Sequence, residues 1–219
     1  ILGHVERFNP AFLSLDPETL SPMFIEGHRL AAFNPRGTDV SVVLDLMIHD
    51  LDIVLSVVDS PVKHISASGV AVVSRTPDIA NVRLDFENGC VANLTASRIS
   101  MKQMRKLRLF QKDAYISIDF LDKNSQVIRL YDQAEAVAET EREKLMQLDT
   151  PDGPRYIHVD MPESEPVNAI KMELETLAES IQQDSSTRVS IEEGYRALRL
   201  AHDILEQIQI RNRELLSRS

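Results

Sequence analysis

One cysteine, Cys90, stands in 219 residues. No intrachain disulfide can form, and a single thiol fits a reducing compartment, so a cytoplasmic location is the expectation. Glycine is sparse as well: the seven glycines never fall into a Gly-x-Gly-x-x-Gly run after a strand, so the phosphates of a dinucleotide have no cradle in this sequence. Positive charge is outnumbered, with 24 Lys and Arg against 34 Asp and Glu and a formal net charge of -10. The average surface therefore repels phosphate backbones, and no nucleic-acid partner is expected. The basic cluster Lys102, Arg105, Lys106, Arg108 and Lys112 lies close to a strand and reads as a solvated face. Long apolar runs are also missing. The longest, Leu46 to Val58, is broken by His49, Asp50 and Asp52 and falls short of the roughly 20 clean residues that a membrane span needs, so no membrane partner is expected.

What remains, 43% hydrophobic residues, is enough apolar material for one well-buried domain. The chain starts at Ile1, and Ile1-Leu2-Gly3-His4-Val5 reads as a strand that begins abruptly, so a truncated chain is expected. Asn9-Pro10 places a capping residue and then a proline at the first helical position, and Asp16-Pro17 ends that short helix. Met23 to Phe33 reads as extended. From Thr38 or Asp39 the apolar residues recur at three- and four-residue intervals through Val57, which predicts a helix stopped by Asp59-Ser60-Pro61.

The middle third alternates apolar with polar residues in short runs joined by turn chemistry such as Glu87-Asn88-Gly89, which predicts half-buried strands in an antiparallel meander. Ala134 to Pro154 is charged and without period and reads as a mobile excursion. Pro166 to Gln183 and Ser190 to Leu216 are amphipathic helices, the second opened by Ser190-Ile191-Glu192-Glu193 at capping-box spacing. The order implies an α+β fold: an open, mainly antiparallel sheet with helices packed on one face.

Two features bear on chemistry. In Leu44-Asp45-Leu46-Met47-Ile48-His49-Asp50, Asp45 and His49 stand four residues apart in a predicted helix. A carboxylate there would raise the imidazole pKa and orient it, as a general base requires. A histidine beside an aspartate on a helix is also a common structural hydrogen-bonding pair. In Gly3-His4-Val5-Glu6-Arg7-Phe8-Asn9-Pro10 a strand ends in polar residues, and Arg7 and Asn9 offer donors to phosphate or hydroxyl groups. The alternative is that Arg7 packs on Phe8 and Asn9 only caps a helix.

Together, Gly3 to Pro10 and, about 35 residues later, Asp45-x-x-x-His49-x-x-Asp52 resemble the glucose-fructose oxidoreductase/inositol dehydrogenase (Gfo/Idh/MocA) family, and Glu192-Glu193-Gly194-Tyr195-Arg196-Ala197-Leu198 resembles the start of its final helix. The resemblance spans nearly the whole chain. Within the family, the Gly3–Pro10 and Leu44–Asp50 runs are most similar to members acting on nucleotide-linked amino sugars. Two departures stand out. The glycine run that many relatives carry ahead of the aspartate is here Gly37-Thr38-Asp39-Val40-Ser41, and the Glu-Lys-Pro segment with the family's active-site lysine is missing.

The resemblance implies that residues 1–10 are the last strand of a dinucleotide-binding domain, otherwise absent, and the crossover from it. Residues 11–219 would be the substrate-binding and oligomerisation domain. It implies an oxidoreductase that oxidises a hydroxyl of a sugar or nucleotide sugar by hydride transfer to NAD or NADP, the cofactor being held mainly by the missing domain, so that the fragment alone is inactive. His49 would accept the hydroxyl proton and Asp45 orient or share it. Arg7, Asn9, Arg36 and Arg29 are candidates for substrate contacts, since an anionic nucleotide sugar needs cationic or amide donors. A homodimer or homotetramer through the sheet face is implied, with Val70, Val72, Leu84 and Leu94 as candidate apolar contacts. A different reading is a non-catalytic sheet domain that binds a partner or a second copy of itself. A metal site on Asp45, His49 and Asp52 is a further alternative; no second histidine or cysteine has ligand spacing, and no metal is expected.

Overall fold

The computed structural model describes residues 3–35 and 37–217. Gly3 and His4 lie in no regular element and Val5–Phe8 form a 3-10 turn, so the strand expected at the start is not present over Gly3–Val5; Ile1 and Leu2 lie outside the described residues. Asn9 then accepts a hydrogen bond from the Ala11 amide at 3.1 Å, and Pro10 occupies the first position of helix α1, Pro10–Leu13. Both parts of that start signal act as expected: proline loses no hydrogen bond at a position whose N–H has no partner within the helix.

Among the described residues nine strands form one sheet: β1 (Phe24–Leu30), β2 (Val62–Val70), β3 (Ile79–Phe86), β4 (Val91–Ser97), β5 (Met104–Phe110), β6 (Ala114–Asp119), β7 (Asn124–Tyr131), β8 (Met146–Thr150) and β9 (Gly153–Asp160). Their order is β2-β3-β4-β1-β5-β6-β7-β9-β8. Every neighbouring pair is antiparallel except β1 and β4, which run parallel in the register Phe24↔Val91 to Leu30↔Ser97. The parallel pair arises because the chain leaves β1 through a helix before it returns to the sheet, a crossover that a hairpin cannot make. β8 was not expected: it lies inside the charged excursion, with exposed side chains and hence no alternation to reveal it.

Helix α2 (Ile48–Val57) starts later than the capping residues Thr38 and Asp39 suggest. Residues 37–39 form a turn, Ser41 accepts from the Val43 amide, and Val43–Met47 wind as a π-helical segment that runs straight into α2. Helices α3 (Ala169–Gln183) and α4 (Ile191–Leu216) follow the last strand, and Ser190 with Glu193 closes the expected capping box.

α2 and α4 cover one face of the sheet. There Val82, Leu84, Phe86, Ala92, Leu94, Leu107 and Leu109 meet Leu51, Val54, Ala201, Ile204 and Ile208 in one core. Leu84 and Leu94 are thus corrected from a candidate association surface to the covered face, since their alternation points them under the helices. Val70 and Val72 are exposed. Gly27 sits in mid-sheet because a Cβ there would fall 2.6 Å from Leu94 and 2.9 Å from Leu107. Among the described residues, no helix is long and apolar enough to cross a membrane.

Candidate active site

The C-terminal half of β1 brings Arg29 to the covered face of the sheet, beneath α2 and against the Val5–Phe8 turn. Its guanidinium is buried, and each of its three nitrogens has a carboxylate partner. Nε reaches both Asp50 oxygens at 3.1 and 3.0 Å, Nη2 donates to Asp50 Oδ1 at 2.8 Å, and Nη1 donates to Glu6 Oε1 at 2.8 Å. Burial works against this charge, but Asp50 and Glu6 outweigh it and hold Arg29 above the ordinary guanidinium range. Planar, bidentate pairing is what makes such an ion pair tolerable without water. Arg29, a candidate for substrate contact, is thus also an internal support, its guanidinium held by Asp50 and Glu6.

Arg7 and Asn9 are likewise engaged inside the protein. Arg7 donates through Nε to Asp52 at 2.8 Å and through Nη2 to Asp52 at 3.2 Å and to Glu193 at 3.1 Å, which ties the turn to α2 and to the start of α4. Asn9 is buried, caps α1, and donates to Glu6 at 2.9 Å and to the Phe120 carbonyl at 3.0 Å. Asn9 thus does more than cap a helix, since its amide also joins the Val5–Phe8 turn to the end of β6. Arg7 has a carboxylate partner that the sequence reading had not assigned. Arg36 lies outside the described residues.

His49, in the first turn of α2, stands over this network. It is partly buried; among the described residues Nδ1 is enclosed without a hydrogen-bond partner, whereas Nε2 is neither enclosed nor hydrogen-bonded. Burial first, and Arg29 second, push its imidazole below the ordinary histidine range against the opposing pull of Glu6 and Asp50. The expected effect of Asp45 is absent. Asp45 is exposed, and its carboxylate makes no hydrogen bond or ion pair among the described residues. The reason is local: Asp45 lies in the π-helical segment, whose wider turn breaks the one-above-the-other alignment that four-residue spacing gives in an α-helix.

The loop that leads into this segment is pinned from below. Arg98 donates to the carbonyls of Gly37, at 2.7 Å, and Val40. Asp78, fully buried beside it, accepts the amides of Val72, Val73 and Ser74 at 2.8, 2.8 and 2.9 Å. Burial opposes the Asp78 charge, but hydrogen bonds from Ser74, Val73 and Val72 hold its carboxyl well below the usual carboxylate range. None of Glu6, Asp50, Arg98 or Asp78 was expected at the site. For Asp50 a signal existed: a charge inside an apolar helical run must find a partner when that helix is buried all round.

Asp45, His49 and Asp52 do not converge, since Asp52 turns to Arg7. Among the described residues no group of three or more His, Cys, Asp or Glu side chains is arranged to hold a metal ion. The site thus presents, near the C-terminal end of a parallel strand pair, an imidazole whose pKa is lowered by burial.

Residues 21–117 match the family model described as the GFO/IDH/MocA C-terminal domain. UDP-N-acetylglucosamine 3-dehydrogenase of Acidithiobacillus ferrooxidans is 39% identical over 127 residues, 58% of this chain and 41% of that protein. A solved structure of the same enzyme superimposes with a TM-score of 0.79 at 28% identity, over 95% of this chain and 61% of the other. Levoglucosan dehydrogenase, solved with NADH and L-sorbose, shares the fold with a TM-score of 0.69 at 14% identity, over 94% of this chain and 63% of that one. The chain thus spans less than two thirds of the length of each of these relatives. The GFO/IDH/MocA domain accounts for the open sheet and its helices on one face, and the sequence resemblance is borne out at the level of the family.

Proposed function

We propose that this chain is the substrate-binding part of an NAD(P)-dependent oxidoreductase that oxidises a hydroxyl of a sugar or nucleotide sugar, with His49 as the group that receives the hydroxyl proton. The observation that carries this reading is His49 itself: a half-buried imidazole kept below its ordinary range, open at Nε2 and seated on a rigid buried network. A general base must be unprotonated at working pH and reachable by its substrate, and the lowered pKa and unenclosed Nε2 of His49 support that role. The match to a UDP-N-acetylglucosamine 3-dehydrogenase supports a nucleotide-linked sugar as the substrate.

NAD(P) would supply the hydride acceptor, but its pyrophosphate does not fit the residues described. The glycines with positive φ, Gly37, Gly89 and Gly153, lie in turns and form no phosphate loop between a strand and a helix. This chain's own part is the substrate side of the reaction. His49 takes the proton, Arg29, Glu6 and Asp50 set the charge around its imidazole, and Asp45, free of His49, is left to hold a substrate hydroxyl. A dinucleotide-binding unit elsewhere in the polypeptide would find an uncovered apolar face on α3, where Ile170, Leu174 and Ile181 are exposed.

In an enzyme that includes the dinucleotide-binding unit, His49→Ala should lower turnover by roughly a hundred- to ten-thousand-fold while cofactor affinity stays unchanged. Unaltered steady-state turnover on the nucleotide sugar would remove His49 from the reaction.

Self-association is a compatible second reading, favoured by the uncovered face of the sheet. Cross-strand register aligns Val91, Phe24, Phe110, Tyr115, Ile128 and Val159 in one apolar row, with ring centroids 5.9 Å apart between Phe24 and Phe110 and 5.0 Å between Phe110 and Tyr115. Two such rows stacked face to face would give the self-complementary contact of a homodimer, or part of a homotetramer. Sedimentation should show Phe110→Lys shifted to a smaller species; an unchanged distribution would exclude this face.

A further inference from the structure

The basic cluster Lys102, Arg105, Lys106, Arg108 and Lys112, which reads in sequence as one solvated face, is divided by the fold among three places. Alternation along β5 sends Lys106 and Arg108 to the open face, where each has a carboxylate, Asp119 at 2.9 Å and Glu26 at 3.0 Å. Lys112 lies past the far end of β5, in the turn to β6. Arg105 shares the parity of Leu107 and Leu109, which places it on the covered side, at the end of the sheet where β1 finishes. In the β1–β5 register it stands directly opposite Arg29, with backbones about 5 Å apart. His49 is close enough to Arg29 to feel its charge.

The two opposed arginines differ in their partners. Arg29 is buried and held by Glu6 and Asp50, whereas Arg105 is exposed and its side chain has no hydrogen bond or ion pair among the described residues. Asp119, one register step away, is engaged by Lys106 and by the amides of Leu121 and Asp122. Like charges opposed across a ladder repel, so an anion between them would relieve the pairing. Lys102, exposed in the β4–β5 loop, is likewise unpartnered among the described residues. That loop is tied to the same end of the sheet, since the Ser100 amide donates to the Ala31 carbonyl, just past β1, at 3.0 Å. In a chain of net charge -10, two unpaired cations at the His49 end of the sheet are the reverse of the average surface.

We propose that Arg105, joined by Lys102, is an anion subsite that takes the diphosphate of a nucleotide-linked sugar whose reacting hydroxyl is presented to His49. The subsite rests on the reading of His49 as proton acceptor for the choice of reacting hydroxyl, and not for the seat of the diphosphate. In such a substrate the diphosphate is joined to the sugar ring itself, so base and cation must come from neighbouring elements, as α2 over β1 and β5 beside β1 provide. A planar guanidinium can meet two phosphate oxygens at once. The diphosphate does not react, so this contact is the same in the ground and transition states and acts on binding rather than on turnover.

The test is calorimetric titration of UDP and of uridine into the enzyme that includes the dinucleotide-binding unit, with cofactor at saturation so that the phosphate site of that unit is filled. The wild type should bind UDP more tightly than uridine. Arg105→Gln should weaken UDP by roughly ten- to a hundredfold, the loss of a charge-assisted contact, and leave uridine unchanged. Lys102→Gln should weaken UDP less. Lys112→Gln removes the same charge beyond the far end of β5 and should leave both ligands unchanged. UDP bound no more tightly than uridine, UDP affinity unmoved by Arg105→Gln, or an equal loss in Lys112→Gln would overturn the proposal. On the nucleotide sugar, Arg105→Gln should raise KM with kcat kept, whereas His49→Ala should lower kcat and leave UDP affinity as it was. The subsite can therefore fail while His49 keeps its role, and His49 can fail while the subsite stands.

Discussion

Strand β1 carries one charged pair on each of its faces. On the covered face Arg29 pairs with Asp50 at 2.8 Å, with side chains 3% and 6% exposed; on the open face Glu26 pairs with Arg108 of β5 at 3.0 Å, with side chains 34% and 42% exposed. The distances are nearly the same and the consequences are not. In the open pair water screens the attraction and already solvates both ends, so the bond replaces one good environment with another. In the covered pair there is no water to return to, and each charge depends on its partners for its whole solvation. Proximity alone therefore says little about what an ion pair contributes. Covering by α2 is what makes the Arg29 pairs a fixed support and leaves the Glu26 pair adjustable.

The comparison is put under most strain by Arg29→Gln. This change leaves Asp50 and Glu6 buried without a counter-charge, and urea denaturation should show a loss on the order of 3–5 kcal/mol. A loss below about 1 kcal/mol would mean that water reaches the network and that the two faces of β1 do not differ as described. Replacing Arg29, Asp50 and Glu6 together by apolar residues of similar volume should cost far less than Arg29→Gln, because no charge is then stranded.

The two faces also differ in how far sequence could reach them. Alternation in β3 to β6 and the amphipathic pattern of α4 gave the open sheet and its covering helices, because period reports which face is buried. His49 stood out for the same reason, as a polar residue inside an apolar run. What alternation cannot carry is partner choice. Glu6, Arg29 and Asp50 come from a turn, a strand and a helix 23 and 21 residues apart from Arg29, and only the crossover brings them together. Nor does sequence announce the π-helical segment that separates Asp45 from His49, at whose start the Val42 amide donates to the distant Pro77 carbonyl and the Val43 amide to Ser41.

A smaller effect sharpens the contrast through pH. Burial and Arg29 lower the His49 pKa in the folded chain relative to its ordinary value of 6.5. The unfolded chain therefore binds the proton more readily, and the stability tied to neutral His49 is present above pH 6.5 and lost as pH falls through the folded value. Comparing urea midpoints at pH 7.5 and 5.5, the wild type should lose more stability on acidification than His49→Gln, which has no proton to gain. Equal losses would place the imidazole in water, outside the covered network.

The smallest effect is expected on the open face. Glu26→Gln retains the length of the side chain and a hydrogen-bond acceptor for Arg108 while removing the charge. Urea denaturation should register a loss of less than about 1 kcal/mol, shrinking further as salt is raised. This near-silence is informative, because Glu26 and Arg29 are three residues apart on one strand and share its backbone and its neighbours. Should Glu26→Gln cost as much as Arg29→Gln, the open face would have to be covered in solution. The row through Phe24 and Phe110, adjacent in register to Glu26 and Arg108, would then be the place where a second copy excludes water. A concentration-dependent loss would point to that dimer directly, since association stabilises the folded chain only as far as the protein concentration drives it.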